Sequence, residues 1–227
     1  MKEKTEILRR PAYGIAEAAH VLGVPPSTLR YWVCGQRSHK PILNVEDPDK
    51  KALSFLDLVE AHVLSALRKT HDIPLPELRK IVQKVSKLSP KSRHPLAEHR
   101  FATQGKNVLV EETSKLLVNL SKDFQYELRE IVEQYLNRIE WDEQRRFPIR
   151  LYPYAARGAP SRDRRIVVDP FVSFGRPVVV RKGVRTEVIA DRFKAGEDPE
   201  SLARDFGIEP EAVWDAIRYE SRIGAAA

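Results

Sequence analysis

The same short pattern of residues occurs twice in this chain, 184 positions apart. Each copy places an alanine, a glycine, a proline and an aliphatic residue at identical spacing: Ala19, Gly23, Pro26 and Leu29 in the first, and Ala203, Gly207, Pro210 and Val213 in the second. Glycine permits the left-handed backbone that ends a helix, and proline suits the first turn of the next one because its missing N–H has no partner there. Both copies therefore predict a helix, a tight turn and a second helix.

The first copy has the side chains of a DNA-reading helix-turn-helix. Ala19 is small enough for two helices to cross closely, and four apolar residues can fill the space between them: Leu22, Val24, Leu29 and Trp32. The remaining face of the second helix carries Ser27, Thr28, Arg30 and Tyr31. Hydroxyls bond phosphates or bases, and an arginine in the major groove reaches guanine edges or phosphates. We therefore predict that these four residues contact DNA.

A basic hairpin is predicted directly after this helix. Two β-prone runs, 42–45 and 52–55, are joined by the loop 46–51 and would form a wing beside the recognition helix. The basic residues of this stretch complete the predicted DNA-binding set: Arg37, Lys40, Lys50 and Lys51. Apolar residues at helical spacing over 56–67 and 78–88 then predict two amphipathic helices.

The charge distribution supports an anionic partner for this first third. The 227 residues hold 39 Lys+Arg against 32 Asp+Glu, a formal net charge of +7. Residues 1–90 contain 15 basic and 10 acidic side chains, whereas residues 161–227 contain 12 of each. Cations that neutralise phosphates gain affinity by releasing counterions. A helical pair that binds protein on a merely basic surface is the alternative.

The first 90 residues resemble the MerR-type winged helix. The motifs that carry the resemblance are YGIAEAA at 13–19, GV at 23–24, TLRY at 28–31, FLDL at 55–58 and IPLPELRKI at 73–81. The resemblance implies that the helix from Pro26 enters the major groove of double-stranded operator DNA, and that two copies of the chain act as a homodimer on two half-sites. Lys50 and Lys51 replace the usual arginine-rich wing, and no long coiled-coil helix follows directly. Metal-sensing members use clustered cysteines, so a metal sensor is disfavoured.

The middle of the chain predicts a connector, a small sheet and one helix. Residues 89–100 are polar with two prolines, the runs 101–103, 107–110 and 115–120 are β-prone, and apolar spacing predicts a helix from about 124 to 141. The apolar stripe of that helix needs a partner, which is the sheet or a second copy of the chain. His94 and His99 beside Glu98 lack a third well-placed ligand, so solvated or backbone-bonded histidines are predicted and no metal site.

The last third predicts a linker over 155–164, two short strands at 166–169 and 176–181, and then the second helix-turn-helix. Its final helix carries Glu209, Glu211 and Asp215, which would repel phosphates. We therefore predict a protein-interaction module. A DNA-binding role would have to use Arg181, Lys182 and Arg185 instead.

This part resembles a small domain common in bacterial antitoxins that accompany PIN-domain ribonuclease toxins. The motifs are RIVVDP at 165–170, GRPV at 175–178, GVRT at 183–186, AG at 195–196, PESL at 199–202 and VWDAIRY at 213–219. With the MerR-type reader in front, the whole chain is similar to antitoxins of VapBC-type modules. The resemblance implies a non-enzymatic protein that neutralises a PIN-domain toxin and represses its own operon. Toxins of that family use acidic residues around a divalent cation, so Arg218 and Arg222 are candidates for blocking that site, and the middle segment is the other candidate surface.

The predicted fold class is α+β, mainly α, in three parts. These are a winged helix-turn-helix at 1–90, a small sheet with an amphipathic and candidate dimerisation helix at 101–154, and an antitoxin-type helix-turn-helix domain at 165–222. No phosphate loop, nucleophile elbow or zinc-ligand pair occurs, so we predict no enzyme activity and no cofactor. The lone Cys34 predicts a reducing cytoplasm and a thiol in or beside the core, and no membrane segment is predicted. The alternative function is a one-component transcription regulator that senses a small molecule.

Overall fold

The computed structural model describes residues 2–36, 39–47, 51–71, 75–87, 90–98, 130, 132–142, 144, 147–154 and 164–222. The chain divides into two compact units, Met1–Ile149 and Arg150–Ala227. Helices dominate both units, and the sheets are small and two-stranded. None of the helices in the described part is long and apolar enough to cross a membrane.

The first unit is built around helices that follow one another closely in sequence. Its elements are α1 (Lys2–Arg9), β1 (Tyr13–Gly14), α2 (Ile15–Leu22), α3 (Pro26–Cys34), β2 (Ala52–Leu53), α4 (Phe55–His71), α5 (Leu75–Ser86) and a single 3-10 turn (Pro95–Ala97). Residues 132–136 are helical, and β3 (Ile139–Asp142) pairs with β4 (Phe147–Leu151), the strand in which the first unit ends.

Helix α4 is the centre of the first unit. Every residue from 53 to 66 is buried, so the helix up to residue 66 is covered on all sides and not only along one stripe as the sequence predicted. Its buried residues include the polar side chains Asp57, Glu60, His62 and Ser65. Buried carboxylates in a central helix need hydrogen-bond partners from neighbouring residues.

The predicted wing hairpin is wrong in its first strand. Ala52 and Leu53 pair with Gly14 and Tyr13, so the partner of β2 is β1. Residues 42–45 form no strand, because the N–H groups of Ile42 and Leu43 donate to the carbonyl oxygen of Trp32 at 2.9 and 3.0 Å and their side chains are buried. Among the described residues here, an isolated bridge between Asp47 and Ala52 joins the two sides of the predicted loop.

The predicted middle helix is wrong at its end. Residues 132–136 are helical, but Ile139–Asp142 is a strand, because Ile139 is apolar and fits the period of either structure. The described part of the apolar stripe is covered within the chain: Val132, Leu136 and Ile139 are buried. The β-prone runs at 101–103, 107–110 and 115–120 lie outside the described residues.

The second unit confirms the predicted strands and helices. It contains β5 (Ile166–Val167), a 3-10 turn (Ser173–Gly175), β6 (Val178–Val179), α6 (Thr186–Lys194), α7 (Pro199–Phe206) and α8 (Pro210–Ser221). Strands β5 and β6 are antiparallel, with Ile166 opposite Val179. The three helices enclose one apolar core, whose centre is formed by Ile189, Leu202, Val213 and Ala216.

Candidate functional site

The two predicted turns have the same backbone geometry. Gly23 ends α2 at φ 61° and ψ 42°, and Gly207 ends α7 at φ 58° and ψ 44°. The Gly23 N–H donates to His20 and the Val24 N–H to Ala19; at the second turn Gly207 donates to Arg204 and Ile208 to Ala203, all at 3.0 to 3.2 Å. The left-handed glycine thus allows two carbonyl groups at each helix end, which have no partner within the helix, to accept hydrogen bonds. The helix-turn-helix predicted at both places is confirmed.

In the first turn, α3 presents a polar face outward. Leu29, Trp32 and Val33 are buried, whereas Ser27 and Arg30 are exposed and Thr28 and Tyr31 are half-buried. Ser27, Arg30, Tyr31 and Cys34 follow the three- and four-residue spacing of one helix face. Arg30 makes no hydrogen bond or ion pair with any described residue, so its guanidinium is available to a ligand. Cys34 was predicted in or beside the core and is exposed on this face instead.

The segment after α3 is held in place by α5. Gln36 and His39 exchange backbone hydrogen bonds of 3.0 and 2.8 Å, and Arg79 donates to the carbonyl oxygen of Lys40. The Lys40 and Lys51 side chains are exposed. Six of the eight predicted DNA contacts therefore lie at or near the surface, and Arg37 and Lys50 lie outside the described residues.

The first unit contains a buried cluster of ionisable side chains that the sequence analysis did not predict. His94, in the stretch predicted as a solvated connector, is only 3% exposed. Its Nε2 lies 2.8 Å from Glu46 Oε1, and its Nδ1 lies 3.4 Å from Asp57 Oδ1 and 3.5 Å from Glu60 Oε2. The prediction of a solvated or backbone-bonded His94 is therefore wrong, because the 3-10 turn that follows it packs on α4. His99 lies outside the described residues.

The same cluster ties two separate segments, around Glu46 and around Leu96, to α4. Glu60 accepts the N–H of Leu96 at 2.8 Å, and Asp57 accepts the N–H groups of Ser54 and Glu46 at 2.8 and 3.3 Å. Arg93 donates to the carbonyl oxygen of Val45 at 2.6 Å. Ser54 and Asp57 also cap the start of α4 reciprocally, as in a capping box.

Burial and neighbouring charges shift three pKa values in this cluster. Desolvation raises the pKa of both the Asp57 and the Glu60 carboxyl above their ordinary values, because burial disfavours the charged form. Burial alone would lower the pKa of His94, but the neighbouring carboxylates of Glu60, Glu46 and Asp57 outweigh burial and raise it. A raised pKa favours the protonated form of His94 beside these acids. Within the described residues, no group of three or more His, Cys, Asp and Glu side chains could hold a metal ion.

The second turn presents a different outer face. At the positions that correspond to Ser27 and Arg30, α8 carries Glu211 and Trp214, and both are exposed. The Trp214 ring packs edge-on against Phe193 at 5.9 Å. Asp215 does not belong to the acidic surface that the sequence predicted: it is buried, with Arg165 at 3.1 Å and Arg218 at 3.4 Å.

The two predicted toxin contacts, Arg218 and Arg222, lie at the end of α8 with different surroundings. The Arg218 side chain is 60% exposed and lies 6.0 Å from the Trp214 ring. Arg222 donates to the carbonyl oxygen of Pro153 at 3.3 Å and stacks 4.1 Å from the Tyr219 ring. Arg222 thus fastens residues 152–154 to α8, whereas Arg218 is open to a ligand over most of its side chain.

The family models match the two segments that contain the turns. Residues 11–82 match a family described as "Putative DNA-binding HTH domain", and residues 166–219 match one described as "Protein of unknown function (DUF433)". The first match spans α2 to α5 up to residue 82, and the second spans β5 to Tyr219 in α8. A helix-turn-helix of DNA-binding type in the first unit therefore has independent support.

Two curated relatives are similar over almost the whole chain. "Putative antitoxin VapB45" of Mycobacterium tuberculosis is 29% identical over 232 residues, which cover 91% of this chain and 92% of that protein. "Uncharacterized protein Rv2308" of the same organism is 24% identical over 239 residues, which cover 96% and 93%. The X-ray crystal structure of Rv2018 from Mycobacterium tuberculosis matches with a TM-score of 0.70 at 28% identity, over 92% of this chain and 98% of that one.

Proposed function

We propose that this protein is the antitoxin of a toxin–antitoxin pair, which neutralises a PIN-domain ribonuclease by direct binding and represses its own operon. The proposal rests on one observation: two turns with the same backbone geometry expose different side chains. The first presents Ser27, Arg30 and Tyr31, whereas the second presents Glu211 and Trp214 at matching positions. The first turn thus offers a surface suited to DNA, and the second turn offers a surface suited to protein. The similarity to a protein named "Putative antitoxin VapB45" supports the antitoxin role.

The DNA arm of the proposal is a MerR-like winged helix-turn-helix. Helix α3 enters the major groove of the operator, where Arg30 reads a base or binds a phosphate and the hydroxyls of Ser27, Thr28 and Tyr31 add polar contacts. Lys40 and Lys51, with Arg37 and Lys50, add phosphate contacts from beside the groove. A homodimer reads two half-sites about one helical turn apart.

The toxin arm works by steric exclusion and charge. A cation that enters an acidic, metal-binding ribonuclease site forms charge-assisted hydrogen bonds with the carboxylates and excludes the RNA. Arg218 suits this role because most of its side chain is exposed, and the buried Asp215 orients its guanidinium, with Oδ1 3.4 Å from Nη1. Arg222 supports the same helix end through its bond to Pro153. Neither arm requires catalysis or a bound cofactor.

The proposal is tested by isolating the tagged full chain from its native host and assaying the co-purifying protein for ribonuclease activity. The expected result is a stoichiometric PIN-domain partner that cleaves RNA only after it is separated from this chain. Full ribonuclease activity within the complex would contradict neutralisation. A chain that purifies alone as a DNA-binding dimer would favour a transcription regulator that senses a small molecule.

A second candidate function is supported by a cavity in the second unit. This cavity of about 500 Å³ is lined by Tyr152, Arg164, Arg165, Arg181 and Lys182, among others. A small anionic molecule would suit these side chains, and the protein would then be a ligand-sensing transcription regulator. A small anion that changes operator affinity in the absence of any partner protein would favour this function.

A further inference from the structure

An apolar tip projects from the second unit between β5 and β6. Three of its side chains are exposed although all are large and apolar: Phe171 at 43%, Val172 at 38% and Phe174 at 92%. Phe174 is the most exposed large apolar residue in the described part of the chain. Large apolar side chains that are exposed close together are typical of an interaction site.

The tip is held rigidly in an unfavourable backbone conformation. Ser173 and Phe174 lie in the left-handed region, at φ 49° and 55°, where non-glycine residues are uncommon. Asp169 fixes the base of the tip, because its carboxylate accepts the N–H of Phe171 at 2.9 Å and the guanidinium of Arg150 at 2.8 Å. The Asp169 carbonyl also accepts the N–H of Val172. Strain that the surrounding structure over-determines in this way is characteristic of functional sites.

A basic turn lies against the tip. A Cβ on Gly183 would lie 3.6 Å from Val172 Cγ1, so the turn that ends at Gly183 contacts the base of the tip. Arg181, itself at φ 70°, and Lys182 are exposed and form no hydrogen bond or ion pair with any residue that the structure describes. Val172, Arg181 and Lys182 line one cavity of about 500 Å³. We call Phe171, Val172, Phe174, Arg181 and Lys182 together the tip surface.

We infer that the tip surface is the docking site for the PIN-domain ribonuclease, an inference that rests on the proposed function. Phe174 would insert into an apolar pocket of the ribonuclease, and Arg181 and Lys182 would meet carboxylates at its rim. Aromatic side chains that enter a desolvated pocket dominate binding energies, and rim charges add steering and specificity. The rigid base lowers the entropy lost on binding. The ribonuclease would then cover the Phe174 ring, which is 92% exposed.

Charge decides between the possible occupants of this surface. In a two-fold interface between copies of this chain, each patch meets its own counterpart, so Arg181 and Lys182 would face the same two cations. A nucleic acid would satisfy the cations, but the apolar tip would then face phosphates. A protein with carboxylates around an apolar pocket satisfies both parts of the surface.

The test measures binding of the full chain to the purified PIN-domain ribonuclease of its operon by isothermal titration calorimetry. Phe174→Ala should weaken binding by roughly 30-fold or more, the loss expected for an anchor worth at least about 2 kcal/mol. The control is Val188→Ala, which shortens another exposed apolar side chain of the same unit and should leave the affinity unchanged.

Two further variants separate binding from folding and from nonspecific charge effects. Phe174→Gly relieves the left-handed strain, so its unfolding temperature should equal or exceed that of the wild type although binding is lost. Lys182→Glu should weaken binding more at low salt than at high salt, whereas Lys194→Glu, an equal charge reversal on α6, should not.

The outcomes distinguish this inference from the proposed function. If the wild-type chain binds the ribonuclease and Phe174→Ala binds equally well, the docking site is wrong while the proposed function stands. If the wild-type chain does not bind the ribonuclease, both are overturned. If Phe174→Ala instead loses affinity for single-stranded RNA, or turns a dimer into a monomer in sedimentation, the occupant is a nucleic acid or a second copy and the inference is overturned.

Discussion

At the scale of single residues, Gly35 is the position where the first unit tolerates least change. Its backbone has φ 71° and ψ −163°, a region populated almost only by glycine. A Cβ at this position would lie 2.3 Å from the carbonyl oxygen of His39. The reversal at Gly35 brings Ile42 and Leu43 back to the carbonyl of Trp32. One glycine therefore sets the path of the chain from the recognition helix to Lys40.

We predict that Gly35→Ala destabilises the first unit by about 1 to 3 kcal/mol or more, because it combines backbone strain with a backbone clash. Urea unfolding followed by circular dichroism measures the loss. Gly14→Ala is the matched control: Gly14 has φ −64° and nothing within 4 Å of its added Cβ. The control should change stability by less than about 1 kcal/mol. Equal effects of the two substitutions would contradict this account of Gly35.

At the scale of elements, α3 and α8 show that one packing scheme supports two different outer faces. Leu29 and Val213 hold equivalent positions in the two cores and are both fully buried. Arg30 and Trp214, one position further along each helix, are both exposed. The inner residues of a helix-turn-helix fix its geometry, and the outer ones are free to select a ligand.

We predict that Arg30→Ala in the full chain weakens operator binding by on the order of 1 to 3 kcal/mol if Arg30 reads a base. Fluorescence anisotropy with operator and scrambled duplexes measures the effect. Arg204→Ala, which removes an equal charge from the exposed surface of α7, should leave operator affinity unchanged. Equal weakening on both duplexes would identify Arg30 as a phosphate contact, and no weakening on either would remove α3 from the interface.

The buried cluster of His94, Asp57 and Glu60 predicts that the stability of the folded chain depends on pH. The pKa of His94 is raised above 6.5 in the folded chain, so its stabilisation is complete below 6.5 and is lost as pH rises through the folded value. The raised pKa values of Asp57 and Glu60 also lower stability as pH rises, and their contribution begins to be lost at the unfolded values of 3.8 and 4.5. The free energy of unfolding should therefore fall as pH rises above about 6.5.

This pH dependence is checked by two measurements. Urea unfolding at several pH values between about 6 and 9 gives the change in stability, and an NMR titration of the His94 ring gives its pKa directly. We expect a titration midpoint above 6.5 together with decreasing stability. A midpoint below 6.5, or stability that rises over this range, would show that His94 does not compensate the buried acids.

At the scale of the whole molecule, the elements that local chemistry determines could be predicted from the sequence. Glycine and proline at fixed spacing predicted both turns, and the outward side chains of α3 followed from its helical period. Long-range packing could not be predicted in this way. His94 became a buried cation only because α4 places Asp57 and Glu60 against it, and residues 42–45 lost their predicted strand to hydrogen bonds with Trp32.

The exposed tip shows a second limit of sequence patterns. Apolar residues are expected in a core by default, so nothing in the sequence distinguishes Phe174 at 92% exposure from the fully buried Ile189. The left-handed backbone at Ser173 and Phe174 also had no glycine to signal it. Sites made by unexpected exposure are visible only once the fold is known.

The central claim is that DNA and the ribonuclease bind to different surfaces of this chain, so that one function can be removed without the other. The most direct test titrates the PIN-domain ribonuclease of the operon with full-length Arg30→Ala and measures residual RNA cleavage. We predict that this variant neutralises the ribonuclease at the same molar ratio as the wild type although its operator affinity is reduced. Loss of neutralisation in a variant that still folds would contradict the separation of the DNA-binding surface from the ribonuclease-binding surface.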